Sequence, residues 1–365
     1  MKVPFSYLPE QFAQSDIIFE DIKKIVSTGD FTLGKAVNIF EKDFANLIGV
    51  RHAIGVNSGT DAIRLPLKAL GIGPGDEVIT CANTFIATVS AIADTGAKTV
   101  FVDCLDDFCM DLSKLEDAIT SKTKAIIPVH LSGAMVDMER LLAISDRLGI
   151  PVIEDACQAI NSKFNGRSAG SLGLVGSFSL HPLKFLNIWG DGGVITTNND
   201  DLAKSLRLLR NHGLESRDVV VSLGCNSRLD SIQAVVASHV LAQTEWITKT
   251  RIKNSQFYDE QLKQIPQIKI PNRDPKNQHT FVTYQIFAQK RDLLLQFCLE
   301  KQVECKIHYP IPLYCQEGLR HLGYREGDFP VTDRHAKSVI TLPVHQYLSN
   351  QQLDFVVTTI KSFYE

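Results

Sequence analysis

Short apolar runs alternate with longer segments of helical spacing over the first two thirds of the chain. The apolar runs have strand length, and several end at Gly, Asn, Asp or Ser. Segments such as 85–95, 138–148 and 200–210 instead carry apolar residues every three or four positions, which indicates helices. This alternation is typical of an α/β fold with a largely parallel sheet. The predicted strands are 52–56, 77–80, 99–102, 125–129, 152–153 and 194–197.

The last third of the chain has a different organisation. Residues 231–262 keep a long helical pattern and are predicted to connect two parts of the molecule, and residues 266–278 are rich in Pro, Asn and charge. Beyond them we predict strands at 280–287 and 303–308 and helices at 292–301 and 351–364. The sequence thus predicts a large domain (1–250) and a smaller C-terminal α/β domain (251–365).

Composition and charge exclude several classes of function. The 365 residues are 44% hydrophobic and 22% charged, with a net charge of −3, so no basic field points to nucleic acid or to a membrane surface as a partner. The eight cysteines form no CxxC pair and no zinc-ligand spacing, which indicates reduced thiols and no metal site. Without a signal-like N-terminus or an apolar run of transmembrane length, we expect a soluble cytoplasmic protein.

One lysine has surroundings suited to covalent chemistry. Lys184 lies in GSFSLHPLKFLNIWGDGG (176–193), between an apolar strand-like run and a Gly-Asp-Gly-Gly turn. Partial burial disfavours the charged form of a lysine and leaves an amine that can attack a carbonyl. A solvated surface lysine is the alternative interpretation of this residue alone.

Asp155 ends the apolar strand-like run that begins at Ile150. Ligands of open α/β sheets bind outside the carboxyl ends of the strands, so a cofactor would lie near this carboxylate. A carboxylate there can keep a pyridinium nitrogen protonated and make the ring an electron sink. Alone, such an Asp is equally a helix cap or a solvated turn residue.

Three further features fit a phosphorylated, planar ligand. The turn Ser58-Gly59-Thr60 precedes a helix-like segment and can supply N–H and hydroxyl donors to an anion, with Ser179 as a further donor. Phe85 follows another strand and can stack on a ring. Each feature has an ordinary structural explanation, as an N-cap, a strand-end serine or a core phenylalanine. Together with Lys184 and Asp155 they predict a pyridoxal 5'-phosphate site.

The sequence resembles the DegT/DnrJ-type sugar aminotransferases, which are fold-type I pyridoxal phosphate enzymes, over nearly its whole length. The motifs that carry the resemblance are NSGTDA (57–62), GPGDEVIT (73–80), ANTFIAT (82–88), PVHLSG (128–133), EDACQA (154–159), SFSLHPLK (177–184), GDGG (190–193), RNHG (210–213), NSRLD (226–230), QA (233–234) and HYPIPL (308–313). The family fold is a mainly parallel seven-stranded mixed sheet with helices on both faces and a smaller C-terminal domain.

The resemblance implies a role for each matching residue. Lys184 matches the lysine that carries the cofactor, Asp155 the partner of the pyridinium nitrogen, and Gln158 the partner of the phenolic oxygen. Asn226 matches a residue that reaches the phosphate in the neighbouring subunit, which implies a homodimer with shared active sites. The remaining matches are Gly59, Thr60 and Ser179 as phosphate contacts and Phe85 as the stacking ring.

Some positions depart from the usual pattern of the family. Phe185 stands where a small or polar residue is common, and Cys157 where Ala or Ser is usual. We expect Phe185 and His181 to line the lysine loop and to affect which sugar fits. Family members that act as dehydratases have histidine in place of the lysine, so Lys184 argues against that chemistry.

The expected activity is transfer of an amino group from an amino acid, L-glutamate, to a nucleotide-linked 3- or 4-keto-6-deoxyhexose. The products of such enzymes serve lipopolysaccharide, other surface polysaccharides and antibiotic sugars. We expect His308 and Tyr309 to bind the sugar. The alternatives are a pyridoxal phosphate enzyme of other chemistry, such as a sugar dehydratase or a cysteine desulfurase, and a non-catalytic regulator. A nicotinamide-dependent oxidoreductase is disfavoured because no GxGxxG follows an early strand.

Overall fold

The computed structural model describes all residues, Met1–Glu365. Its strands are β1 (His52–Val56), β2 (Glu77–Cys81), β3 (Lys98–Val102), β4 (Thr123–Ile127), β5 (Ile153–Asp155), β6 (Lys163–Phe164), β7 (Arg167–Ser168), β8 (Val175–Ser179), β9 (Gly193–Thr197), β10 (Leu214–Ser216), β11 (Val219–Val220), β12 (Ile268–Lys269), β13 (Asn277–Gln278), β14 (Tyr284–Ala288) and β15 (Val339–Leu342).

The helices lie mostly between these strands. They are α1 (Leu8–Gln11), α2 (Asp16–Thr28), α3 (Lys35–Ile48), α4 (Gly59–Ala69), α5 (Ile86–Ala93), α6 (Leu115–Ala118), α7 (Met138–Leu148), α8 (Asp200–Leu209), α9 (Ser231–Leu241), α10 (Thr244–Leu262), α11 (Arg291–Glu300), α12 (Pro330–Ser338) and α13 (Asn350–Tyr364), with 3-10 turns at Leu131–Gly133, Leu313–Cys315 and Glu317–Leu322. None of the helices combines the length and the hydropathy needed to span a bilayer.

Seven strands form the central sheet, in the order β3-β2-β4-β5-β8-β9-β1. Parallel ladders join β2 to β3 and β4, and β5 to β8. Parallel bridges from Ile126 to Val152 and from Val129 to Asp155 connect β4 with β5. Only β9 runs antiparallel to its neighbours β8 and β1. This confirms the predicted α/β fold with a mainly parallel seven-stranded sheet, and it places the carboxyl ends of β5 and β8 side by side.

Two hydrophobic cores cover the two faces of this sheet. Successive side chains of a strand point to opposite faces, and accordingly Ala53 belongs to one core and Ile54 to the other. Ile126 and Ile127 on β4 divide in the same way. The central strands are therefore buried on both faces, which explains why they read as nearly continuous apolar runs.

A third core lies in the C-terminal part of the chain. It includes Tyr258, Ile286 and Val356 and surrounds the antiparallel sheet β12-β14-β15. Val3 also belongs to this core and forms a bridge with Val303, so the N-terminal residues pack with the C-terminal ones. The division of the chain at residue 250 stays a prediction.

Several predicted elements are wrong in detail. Residues 303–308 form no strand, because Val303 pairs only with Val3 and Lys306 only with Thr341. The long helix expected at 231–262 is two helices, α9 and α10, separated by Ala242 and Gln243. The sequence interpretation also missed α2, α3, α12 and β15. All eight cysteines are free thiols.

Candidate active site

Asp155 lies at the carboxyl end of β5, in the middle of the central sheet. The hydroxyl of Thr88 donates to its Oδ2 at 2.7 Å, and the backbone N–H of Cys157 donates to Oδ1 at 3.2 Å. The side chain is buried, since Asp155 is only 6% exposed. Hydrogen bonds to both oxygens hold this carboxylate in one orientation while each oxygen keeps further acceptor capacity.

The neighbouring Glu154 stiffens the same strand end from the opposite face of the sheet. Its carboxylate accepts the backbone N–H groups of Gly170, Leu172 and Gly173 at 2.7–2.9 Å. The fully buried His130 ring lies 2.9 Å from the same carboxylate. Because His130 also accepts the N–H of Val136 at Nδ1, its Nε2 carries the proton that is donated to Glu154.

The N-terminus of α4 lies beside the end of β8. Ser58 is the N-cap, and its Oγ accepts the N–H of Asp61 at 3.1 Å. The first N–H groups of a helix have no partner within the helix, so those of Gly59 and Thr60 remain available to a ligand. The positive end of the helix dipole favours an anion at this point.

The packing around Gly59 leaves no room for a side chain. A β-carbon on this residue would lie 2.6 Å from Cβ of Ser179 and 3.1 Å from Sγ of Cys157. On the other side, a β-carbon on Gly193 would lie 2.2 Å from the carbonyl oxygen of Ser58. The two glycines thus let the helix end approach the ends of β8 and β9. The resulting cradle of N–H and hydroxyl donors fits a phosphate group.

Lys184 lies on the irregular loop between β8 and β9 and is half-buried. Burial and the charge of Asp155 raise the pKa of the Cys157 thiol, whereas the Lys184 ammonium acts in the opposite direction. Asp155 pairs with Ser177 near the end of β8, and the loop that bears Lys184 begins just after Ser179, so both residues belong to the same edge of the sheet. A planar ring between the phosphate cradle and Lys184 would therefore have Asp155 within reach, so these residues fit pyridoxal phosphate.

Gln158 and Tyr309 are two further candidate residues of this region. The Oε1 of Gln158 accepts the N–H of Ser132 at 2.9 Å. Burial, together with the charge of Asp155, raises the pKa of Tyr309 to about 12. The Gln158 side chain acts in the opposite direction and lowers this pKa. The ring of Phe85, which is 49% exposed, has its centroid 6.0 Å from that of Tyr309. An apolar face and a protonated phenol thus border the site.

His308 lies next to Tyr309 and is neutral at pH 7. Burial, followed by the charges of Lys184 and Lys306, lowers its pKa to about 4. Its Nδ1 is 2.9 Å from the hydroxyl of Thr341, and its carbonyl accepts the side-chain amide of Gln285 at 2.9 Å. The ring therefore offers a neutral hydrogen-bonding edge near the amine of Lys184.

Phe185 and Asn226 have different surroundings. Phe185 follows Lys184 on the loop, and its ring is buried in the main core, 2% exposed and under the guanidinium of Arg251; its effect on the choice of sugar stays a prediction. Asn226 is exposed and pairs with Asn211 through its backbone. The next residue, Ser227, donates to Oδ2 of Asp61 at 2.6 Å, so Asn226 lies beside the first turn of α4 in its own chain. Its role toward a partner subunit stays a prediction.

Sequence reasoning missed Thr88 and Ser132, which orient Asp155 and Gln158. Thr88 lies one helical turn after Thr84, and their hydroxyls are 2.8 Å apart. Two threonines four residues apart at the start of a helix that follows a strand end are a usable signal for this pair. Ser132 offers no such signal, because its backbone rather than its side chain contacts Gln158.

The chain matches the family model described as the DegT/DnrJ/EryC1/StrS aminotransferase family over residues 13–361. It is 42% identical to a "Pleiotropic regulatory protein" of Geobacillus stearothermophilus (100% of this chain, 99% of the relative). It is 36% identical to the dTDP-3-amino-3,4,6-trideoxy-alpha-D-glucose transaminase of Micromonospora megalomicea (98% and 97%).

Solved structures agree with these relatives. DesV of S. venezuelae, crystallised in complex with a ketimine intermediate, superposes with a TM-score of 0.97 at 34% identity and covers 100% of this chain and 99% of its own. Other similar chains were solved with pyridoxal phosphate or its aminated form. The chain therefore belongs to the DegT/DnrJ/EryC1/StrS aminotransferase family, the pyridoxal phosphate-dependent sugar aminotransferases.

Proposed function

We propose that this enzyme transfers the amino group of L-glutamate to the C3 keto group of a nucleotide-linked keto sugar, for surface polysaccharide or other amino-sugar biosynthesis. The observation that carries the reaction type is that Asp155, Ser179 and the N-terminus of α4 meet where the loop that bears Lys184 begins. The C3 position is supported by the relative from Micromonospora, whose name specifies a 3-amino sugar.

Pyridoxal phosphate supplies a carbonyl carbon that exchanges amines and a ring that delocalises the electrons left when a proton departs. The N–H groups of Gly59 and Thr60 would hold its phosphate together with the hydroxyls of Ser58 and Ser179. The Asp155 carboxylate, which Thr88 and the N–H of Cys157 hold in one orientation, would keep the ring nitrogen protonated. Phe85 would pack against the ring, and the side-chain amide of Gln158 would donate a hydrogen bond to the phenolic oxygen.

The Nζ of Lys184 is the group that would move the proton. As a free amine it would take the proton from the α-carbon of the amino donor and later give it up again. The same amine would act in reverse toward the keto sugar. Tyr309 remains protonated at neutral pH because its pKa is about 12, so it donates a hydrogen bond to the sugar, and the neutral His308 provides the second contact.

We further propose that two copies of the chain share their active sites. Asn226 is exposed on its own chain, as the family pattern requires of a residue that reaches a neighbouring phosphate. The nearby hairpin of β10 and β11 exposes Val219 and Val220, and Leu223 is 93% exposed. A second copy would cover this apolar surface.

The first experiment is a visible absorbance spectrum of the protein supplied with pyridoxal phosphate, before and after L-glutamate. We expect a lysine-dependent band that glutamate converts to the spectrum of the aminated cofactor. In Lys184→Ala the conversion is lost, whereas the exposed Lys204→Ala on α8 behaves as wild type. Mass spectrometry of products with nucleotide-linked 3-keto and 4-keto sugars then identifies the position of amination.

A regulatory function is the second candidate, because the relative from Geobacillus is named a regulatory protein. Absence of any visible band in the wild type would refute the aminotransferase proposal and favour this candidate. A band that responds to glutamate, with amination only of 4-keto sugars, would refute the C3 assignment alone.

A further inference from the structure

The loop that carries Lys184 has no regular secondary structure. The N–H of Lys184 donates to the carbonyl of His181 within the loop at 2.8 Å, and contacts from outside the loop hold the other side of the residue. The carbonyl oxygen of Lys184 accepts the hydroxyl of Tyr7 at 3.1 Å. The next side chain, Phe185, is buried in the main core. The peptide unit between Lys184 and Phe185 is therefore held at its carbonyl and at the adjoining ring.

Arg251 of α10 lies against both of these contacts. Its guanidinium carbon is 5.0 Å from the ring centroid of Tyr7 and 5.2 Å from that of Phe185. Arg251 is 2% exposed, and its Nη2 has no hydrogen-bond partner. Its acceptors are the neutral oxygens of Gln346 at 3.0 Å, Val282 at 3.2 Å and Phe281 at 3.4 Å.

A buried guanidinium with neutral acceptors alone is costly unless something else stabilises its charge. The two aromatic faces of Tyr7 and Phe185 provide that stabilisation through cation–π contacts. The positions of these rings and of the guanidinium thus depend on one another. Displacement of Arg251 would release both rings together, and with them both ends of the Lys184–Phe185 peptide unit.

Tyr7 itself is fixed to the C-terminal part of the chain. Its ring packs against His345 and Tyr347, with centroids 5.3 and 6.1 Å away. Nε2 of His345 donates to the carbonyl of Pro4 at 3.1 Å. These contacts fix the ring of Tyr7, and its hydroxyl donates from this fixed position to the loop that carries Lys184.

We propose that Tyr7 and Arg251 are positioning residues that hold the backbone of Lys184 so that its amine points at the cofactor. The inference rests on the proposed function, which gives Lys184 its role. Neither residue touches the reacting atoms. Tyr7 acts through the Lys184 carbonyl, and Arg251 acts through Tyr7 and Phe185. The competing explanation is that these contacts only contribute to overall stability.

Tyr7→Phe separates the two explanations, because it keeps the ring and removes only the hydroxyl. The matched control is Tyr258→Phe, which also removes a buried hydroxyl bonded to a carbonyl, that of Pro343 at 2.9 Å, within the C-terminal core. In the apoprotein we expect Tyr7→Phe to speed amide hydrogen exchange of peptides covering 180–190 by about 3- to 10-fold. Tyr258→Phe should leave these peptides unchanged, although it lowers the melting temperature.

The second measurement uses the protein loaded with pyridoxal phosphate. We expect Tyr7→Phe to shift the pH at which the visible band changes and to weaken cofactor binding by about 3- to 10-fold. Arg251→Met should do the same or more, with Arg251→Lys intermediate because it restores a cation over the rings. If Arg251→Met does not fold, Tyr7→Phe still decides.

The proposal is overturned if Tyr7→Phe matches Tyr258→Phe in loop exchange and in the pH response of the band. That outcome differs from failure of the proposed function, in which the wild type itself shows no visible band. The hydrogen-exchange measurement needs no cofactor. It therefore tests whether Tyr7 restrains the loop that carries Lys184, whether or not the proposed function is correct.

Discussion

Gly59→Ala tests the phosphate cradle most directly. A β-carbon at this position would lie 2.6 Å from Cβ of Ser179, whereas ordinary contact begins at 3.4 Å. The N-terminus of α4 or the end of β8 must therefore move by about 0.8 Å, which is the difference between 3.4 Å and 2.6 Å. Both belong to the well-packed centre of the large sheet, so the movement cannot be absorbed by a flexible side chain.

That displacement is large on the scale of a hydrogen bond. An N–H···O distance near 2.9 Å that grows by about 0.8 Å leaves the bonding range. A hydrogen bond to a charged group contributes about 1.5–3 kcal/mol, so loss of one such bond should weaken pyridoxal phosphate binding about 10- to 150-fold. Overpacking should also lower the free energy of unfolding of the apoprotein by about 1–3 kcal/mol.

Fluorescence titration with pyridoxal phosphate measures the affinity, and urea unfolding measures the stability. Gly318→Ala is the control, since a β-carbon there meets nothing within 4 Å. The double variant Gly59→Ala/Ser179→Gly removes Cβ of Ser179, the atom nearest to the new β-carbon, and should recover the lost stability. Its affinity for pyridoxal phosphate should stay low, because the Ser179 hydroxyl is also gone. An affinity of Gly59→Ala equal to that of wild type would refute the assignment of the cradle.

Two further predictions concern Thr88 and His279. Thr88→Val removes the donor to Oδ2 of Asp155 at 2.7 Å. We therefore expect the glutamate half-reaction to slow about 10-fold in stopped-flow absorbance, whereas Thr88→Ser keeps the donor and should stay near the wild-type rate. An unchanged rate in Thr88→Val would contradict the role of Thr88. Burial and the charge of Arg273 lower the pKa of His279 in the folded protein to about 3. In the unfolded chain the same imidazole takes up a proton below about pH 6.5. The free energy of unfolding therefore falls as the pH drops from about 6.5 toward 3. Between pH 6 and 5, wild type should lose about 1.2 kcal/mol more unfolding free energy than His279→Gln. Equal losses in urea titrations would show that His279 does not titrate in this way.

The strands of the central sheet could be predicted because burial on both faces makes them continuous apolar runs bounded by turn residues. The segment 303–308 satisfies the same local pattern but forms only single bridges. Val303 pairs with Val3 and Lys306 with Thr341, so the two ends of the segment have partners from opposite ends of the chain. Local spacing holds no information about such pairing.

The N-terminal helix α2 shows a second limit of local patterns. Its buried side carries Ile18 and Ile25, but Ile17, Phe19 and Val26 are apolar and 49–62% exposed. The spacing of apolar residues does not tell which of them the fold buries. The exposed residues suit contact with a second copy of the chain, as the proposed dimer would provide.

The same reasoning explains which parts of the active site the sequence reveals. Lys184 and Asp155 were found because charged groups at the ends of apolar strands are unusual and because a sheet brings strand ends together. Two residues that hydrogen-bond to them are uncharged and distant in sequence: Thr88 is 67 positions from Asp155, and Tyr7 is 177 positions from Lys184.

Ser132 is the extreme case. Its N–H reaches Gln158 from a left-handed backbone conformation with φ of 59°, in which glycine or asparagine would be the expected residue. The Ser132 hydroxyl donates to Oε1 of Gln285 and accepts the hydroxyl of Thr283, and His279 donates to the Ser132 carbonyl; these hydrogen bonds hold the conformation. Because β14 and the segment before it supply all three partners, the conformation exists only after the C-terminal part of the chain has packed against the large sheet. The orientation of Gln158 is therefore a property of the assembled fold, which no local pattern around residue 132 could indicate.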